Sequence, residues 1–178
     1  RGHQEVRGTM GQVEMTLIND ESESEPPNWP PEERVAVLTQ TTLSVRDTAQ
    51  AIDAIRNRFH DAVVRSDICY ATTNRQMAVT RMAELVEVVL VIGAENSSNC
   101  NRLREVAEAQ GVPSYLIMGP EELDPAWLEG KENVGITSGA STPEVLVESV
   151  IRALAPEVVI QLDGVDEDVA FTLPKELR

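Results

Sequence analysis

Val88-Val89-Leu90-Val91-Ile92-Gly93-Ala94-Glu95-Asn96-Ser97-Ser98-Asn99 decides the fold. Five apolar residues in a row, three of them valine, read as a strand buried on both faces, which is the habit of a parallel sheet. The polar loop Gly93–Asn99 follows, and then a helix carrying Leu103, Val106 and Ala107 on one side. This strand–loop–helix unit recurs in both directions. Upstream, Val35–Leu38 reads as a buried strand, Thr39–Thr42 as a loop, and Ser44 with Asp47 three residues later as a capping box. The helix it opens places Val45, Ala49, Ile52, Ile55 and Phe59 on one face. Downstream, Ser114–Met118 and Val134–Ile136 read as strands and Glu121–Leu128 as a short helix interrupted by Pro125. Thr142 caps a further helix with Pro143 at its first position and Leu146, Val147, Val150 and Leu154 as its apolar stripe. Val158–Leu162 is expected to close the order as a last strand. The alternation predicts an α/β fold of repeated β-loop-α lobes with short, mostly parallel sheets.

Outside that rhythm lie two segments. Residues 1–12 are polar with Gly2, Gly8 and Gly11 and read as a loop, followed by a short strand over Val13–Ile18. Residues 19–31 are acidic, with four prolines around Trp29, and read as a solvated surface loop. The chain has 178 residues, a net charge of −15 and 3% aromatics. That charge argues against nucleic-acid and anionic-membrane surfaces, and no apolar run is long enough to span a bilayer. Two cysteines, Cys69 and Cys100, and no CxxC or HExxH motif point to a reduced, cytoplasmic chain without a self-contained zinc site.

Parallel sheets place ligands at the carboxyl ends of their strands. Four segments expected there share hydroxyls and amides: Thr39–Thr42, Cys69–Asn74, Asn96–Asn99 and Thr137–Thr142. Helix capping alone accounts for any one of them. Together they also suit a phosphate or diphosphate, which free helix N–H groups favour. Cys69 reads either as a small buried apolar residue or as a thiolate at a helix N-terminus able to attack or to bind metal. Cys100 reads as a packing residue. His3 and Glu5 share a Gly-flanked loop and by themselves read as solvated.

The run Asp67-Ile68-Cys69-Tyr70-Ala71-Thr72-Thr73-Asn74-Arg75-Gln76 resembles the cysteine segment of the 4-hydroxy-3-methylbut-2-enyl diphosphate reductase family. Thr39–Val45, Asn96–Asn99, Thr137–Pro143, Gly2–Gly11 and Leu173–Leu177 are similar to further segments of that family, in the same order. The resemblance implies an iron–sulfur reductase of isoprenoid biosynthesis, in the methylerythritol phosphate route. Its reaction is a reductive dehydroxylation yielding isopentenyl and dimethylallyl diphosphate. It implies Cys69 as one thiolate ligand of a 4Fe–4S cluster and Glu5 as the proton source, working through Thr41. It implies His3, Gln40, Ser97, Ser98, Asn99 and Ser141 along the substrate, and a ferredoxin or flavodoxin as electron donor. The family fold has three lobes; the chain is expected to contain a partial second lobe, residues 1–66, and the third with a tail, residues 67–178. The family's other two cluster cysteines precede the glutamate loop, so a missing N-terminal domain or a second chain is expected to supply them. The alternative is a non-catalytic α/β module, or fragment, that binds a diphosphate.

Overall fold

The computed structural model describes residues 4–18, 27–65 and 68–162. Among the described residues five strands and five α-helices follow in the order α1 (Gln4–Met10), β1 (Ala36–Leu38), α2 (Val45–Arg58), β2 (Val63–Arg65), α3 (Tyr70–Ala83), β3 (Val88–Ile92), α4 (Ser98–Ala109), β4 (Ser114–Ile117), β5 (Val134–Ser138) and α5 (Glu144–Leu154). Every pairing is parallel. β1 pairs with β2 in one small sheet, and a second sheet has the order β4-β3-β5.

β3 is the centre of the second sheet, and all five of its residues are buried. Its side chains alternate between two cores, as strand geometry requires. Val89 and Val91 face α3 and α4, joining Val79, Met82, Leu103 and Ala107. Leu90 and Ile92 face the other way, joining Ile117 and Val150 of α5. The sheet is therefore sandwiched between helices, which explains why β3 reads as an unbroken apolar run. Each fully buried Val, Leu or Ile contributes roughly 1.5–3 kcal/mol. Tyr115 of β4 stacks on Trp127 with centroids 4.0 Å apart, pinning the β4–β5 connection. In that connection Pro125 breaks the expected helix into two short 3-10 turns, Pro120–Glu122 and Pro125–Trp127. β4 and β5 lie on opposite sides of β3, and such a switch in strand order is where open α/β sheets place ligands, at the carboxyl ends of the strands.

Several expectations need correction. The segment expected to be a loop over residues 1–12 contains α1: Glu5 favours its first turn, and the Gly11 amide closes it on the Arg7 carbonyl. Val13–Ile18 forms no strand. β1 is not buried: Leu38 is 50% exposed, and Val63 of β2, which pairs with Ala36, is 56% exposed. Two strands alone cannot bury both faces among the described residues. The strand before Cys69 is β2, Val63–Arg65; Cys69 itself is the N-cap of α3, and Thr72 lies inside the helix. The buried face of α3 is Thr72, Gln76, Val79, Met82 and Ala83, whereas Met77 and Leu85 are exposed. Thr142 does not cap α5: the N-cap is Pro143, with no side-chain bond, and the Thr142 hydroxyl donates to the Ile92 carbonyl instead. Val158–Leu162 forms no strand: with no ladder partner among the described residues, Val158 and Ile160 are 73% and 79% exposed. Residues 19–26 of the acidic loop and Leu173–Leu177 lie outside the described residues. No helix among the described residues is long and apolar enough to cross a membrane.

Candidate functional site

Three residues from distant parts of the chain meet through the backbone of one turn. β1 ends at Leu38, and the turn Gln40–Leu43 is closed by the Leu43 amide donating to the Gln40 carbonyl and by Gln40 Nε2 donating to Thr42 Oγ1 at 3.0 Å. The Thr41 amide, exposed on this turn, donates to Oε1 of Glu5 at 2.9 Å. The Thr41 carbonyl accepts from the Cys69 amide at 3.0 Å. Glu5, Thr41 and Cys69 thus form a row. The Cys69 carbonyl accepts from the amides of Thr72 and Thr73, which sets the first turn of α3 and leaves the thiol exposed at its N-terminus.

The second group of residues lies where α4 begins. Ser97 caps α4, its hydroxyl accepting from the Cys100 amide at 3.3 Å. Asn101 Nδ2 donates to the carbonyls of Glu95 and Ser97, at 2.6 and 3.0 Å, and so folds the loop back on the helix. Asn99 is 8% exposed, and neither its Nδ2 nor its Oδ1 has a partner among the described residues. A buried amide left unpaired costs on the order of 1–3 kcal/mol, so the position is held against stability.

The turn after β5 is fastened to β3. The Gly139 amide and the Thr142 hydroxyl both donate to the Ile92 carbonyl, at 3.0 and 2.9 Å, and the Thr142 amide donates to the Gly139 carbonyl. A Cβ added at Gly139 would stand 3.9 Å from Asn99 Nδ2, so the Asn99 amide faces the turn that carries exposed Ser141. Cys100 fills the gap between Gly93 and Gly139: a Cβ on either glycine would overlap its Sγ. Gly93 and Gly139 are therefore glycine because two strand ends close on one buried thiol.

A cleft of about 230 Å³ lies between the Gln40–Leu43 turn and the start of α4, lined by Gln40, Thr42 and Leu43 and by Asn96, Ser98, Asn101, Arg102 and Glu105. Arg102 is paired with Glu105 at 2.9 Å. The donors offered to an anion are thus mainly neutral hydroxyls, amides and backbone N–H groups, despite the acidic chain.

The structure brings together Glu5, Thr41 and Cys69 in one row, Gln40 with Ser98 across the cleft, and Asn99 with the turn of Ser141. Ser97 acts on its own helix as a cap. His3 lies outside the described residues. Sequence reasoning missed the locking roles of Asn101 and Thr142. Asn101 carries a signal, standing four residues after the capping Ser97, and Thr142 carries none, because its acceptor is fifty residues away.

The arrangement is that of an α/β protein gathering hydroxyl, amide, carboxylate and thiol groups at the carboxyl ends of parallel strands. Residues 1–155 match the family model described as LytB protein, and the chain belongs to that family. It is 54% identical over 183 residues to the protein of Rhodopseudomonas palustris named 4-hydroxy-3-methylbut-2-enyl diphosphate reductase 1, covering 99% of this chain and 60% of that relative. It is 50% identical over 184 residues to the 4-hydroxy-3-methylbut-2-enyl diphosphate reductase of Zymomonas mobilis, covering 99% of this chain and 54% of that protein. The solved structure of the E-1-hydroxy-2-methyl-but-2-enyl-4-diphosphate reductase of Plasmodium falciparum superposes with a TM-score of 0.90 at 29% identity, over 99% of this chain and 58% of that one. The chain thus spans somewhat over half the length of these relatives.

Proposed function

We propose that this chain carries the diphosphate pocket, the proton-delivering carboxylate and one cluster thiolate of a 4-hydroxy-3-methylbut-2-enyl diphosphate reductase. The observation that carries the reading is the row Glu5–Thr41–Cys69, in which the carboxylate and the thiol-bearing residue share one peptide turn. The overall reaction takes up two electrons and two protons. The substrate's hydroxyl leaves as water, and isopentenyl or dimethylallyl diphosphate remains. In this reading Ser98, Asn99 and Ser141 hold the diphosphate, with Gln40 across the cleft from Ser98 and Ser97 at the capping position; the substrate role implied for His3 is part of the same proposal. Fixed donors keep the reacting carbon in place, which is where enzymes gain much of their advantage. Glu5 supplies a proton, positioned by the Thr41 amide.

The 4Fe–4S cluster that the family reading implies needs three thiolates. The sequence has two cysteines, Cys69 exposed and Cys100 buried. Among the described residues no group of three metal-ligating side chains comes together. The residues present therefore do not fit the whole cluster: they offer a single ligand, Cys69. In this proposal a further domain or a second chain contributes the rest, and a ferredoxin or flavodoxin delivers the electrons in the cytoplasm. The two separate sheets support a division into lobes 1–66 and 67–178.

The single exposed thiol also favours a second reading, a non-catalytic module that binds a diphosphate. Calorimetric titration of the chain with inorganic diphosphate, at fixed ionic strength, tests the pocket common to both. Saturable binding weakened at least tenfold by Asn99→Ala supports it; binding unchanged in that variant refutes it. Iron reconstitution then separates the two readings.

A further inference from the structure

We infer that Gln76 is a positioning residue, which sets the distance between the Glu5 carboxylate and the Cys69 thiol by clamping the Thr41 turn to α3. Gln76 follows Cys69 by two helical turns, so the two share a face of α3. That face meets the Gln40–Leu43 turn twice. The Cys69 amide donates to the Thr41 carbonyl at 3.0 Å, and Gln76 Nε2 donates to the Leu43 carbonyl at 3.4 Å. One bond alone would leave the turn free to pivot about Thr41. Two bonds, spaced two residues apart on the turn and seven on the helix, fix its direction as well as its distance. The direction matters because the Thr41 amide points at Glu5 Oε1 from that same turn.

The burial of Gln76 supports the clamp. It is 9% exposed, and its neighbours on that face, Val79 and Met82, belong to the hydrophobic core. A polar side chain there would be replaced by an apolar one without loss of packing unless its amide were used. The sequence around it gives no other reason for glutamine inside a helix facing inward.

The catalytic meaning of the clamp rests on the reductase reading, but its geometry does not, and the test reads the geometry. The Thr41 amide proton is followed by NMR in labelled protein as Glu5 is titrated, with Glu5→Gln as the reference that shows no such titration. In the unaltered chain the Thr41 proton moves upfield as Glu5 is protonated. In Gln76→Met, which keeps the shape and removes the donor, the amplitude of that shift falls at least twofold. In Gln76→Lys, which restores an N–H donor, it recovers. An unchanged amplitude in folded Gln76→Met overturns the proposal, as does a Lys variant as impaired as the Met variant. If Gln76→Met does not fold, Gln76→Glu, with an acceptor where the donor was, is read by the same shift and the same criterion. Because neither cluster nor substrate is present, failure here leaves the reductase reading standing, and failure of diphosphate binding leaves the clamp standing.

Discussion

Substituting Gly93 by alanine tests how the carboxyl ends of β3 and β5 are held. The added Cβ would overlap Cys100 Sγ and come within 3.2 Å of Thr142 Oγ1. Neither neighbour can step aside easily: Cys100 is 2% exposed in the first turn of α4, and Thr142 is bonded to the Ile92 carbonyl. Overpacking of this kind costs about 1–3 kcal/mol, and both neighbours being fixed places Gly93→Ala near the upper end. For a chain of this length, about 3 kcal/mol is a fall of roughly 6–12 °C in Tm. Cys100→Ala alone leaves a small void and is expected to cost about 1 kcal/mol. The double variant exchanges a sulfur for a methyl group in the same space; the Cys100 Cβ lies 3.5 Å from the added Cβ, an ordinary contact. Its stability should therefore exceed the sum of the single effects by at least about 1 kcal/mol, a coupling of the size seen between touching residues. Urea unfolding of the four proteins, followed by circular dichroism, measures this. Additive losses would refute the reasoning, because they would mean that Gly93 and Cys100 do not compete for one space.

Asn99→Leu removes two buried polar atoms that have no partner among the described residues; the free chain should gain about 1 kcal/mol in urea melts while losing diphosphate affinity in calorimetry. Leu90→Ala empties the centre of the α5-facing core and should cost about 2–5 kcal/mol by the same melts. The amides of Asn133 and Glu132 bond the exposed Glu87 carboxylate and hold its pKa below the ordinary glutamate value, with Lys131 adding to this. A depressed folded pKa means stability that is present above the unfolded pKa and lost as pH falls through the folded one. Glu87→Gln should therefore lower stability near pH 7 and flatten its decline in the acid range, read from urea midpoints at successive pH values.

The larger sheet and its helices were legible because local pattern and tertiary role agree there. β3 is an unbroken apolar run because helices cover both its faces, and α4 and α5 announce themselves by their apolar stripes. The first half was harder to read. α1 is seven residues containing Gly8, too short for periodicity to show. β1 and β2 are three residues each, and their partner relation depends on a register that no local signal encodes. The apolar run Val158–Leu162 shows the converse: strand propensity without a ladder partner yields no strand among the described residues. At the site, residue types were readable but contacts were not. Glu5 and Thr41 are 36 residues apart, and their bond runs to a backbone amide, which any residue at position 41 except proline would offer. The buried Gln76 was quoted within a motif, yet nothing local distinguishes a clamp from a solvated helix residue.

The central claim is that Cys69 is a cluster ligand held in place by the Thr41 turn. Its most direct test is anaerobic reconstitution of the chain with iron, sulfide and a small thiol able to complete the ligand set. Iron and sulfide per chain are measured together with the visible absorption. The account predicts bound iron that is lost in Cys69→Ala and kept in Cys100→Ala. Iron absent from the unaltered chain, or retained without Cys69, would contradict it.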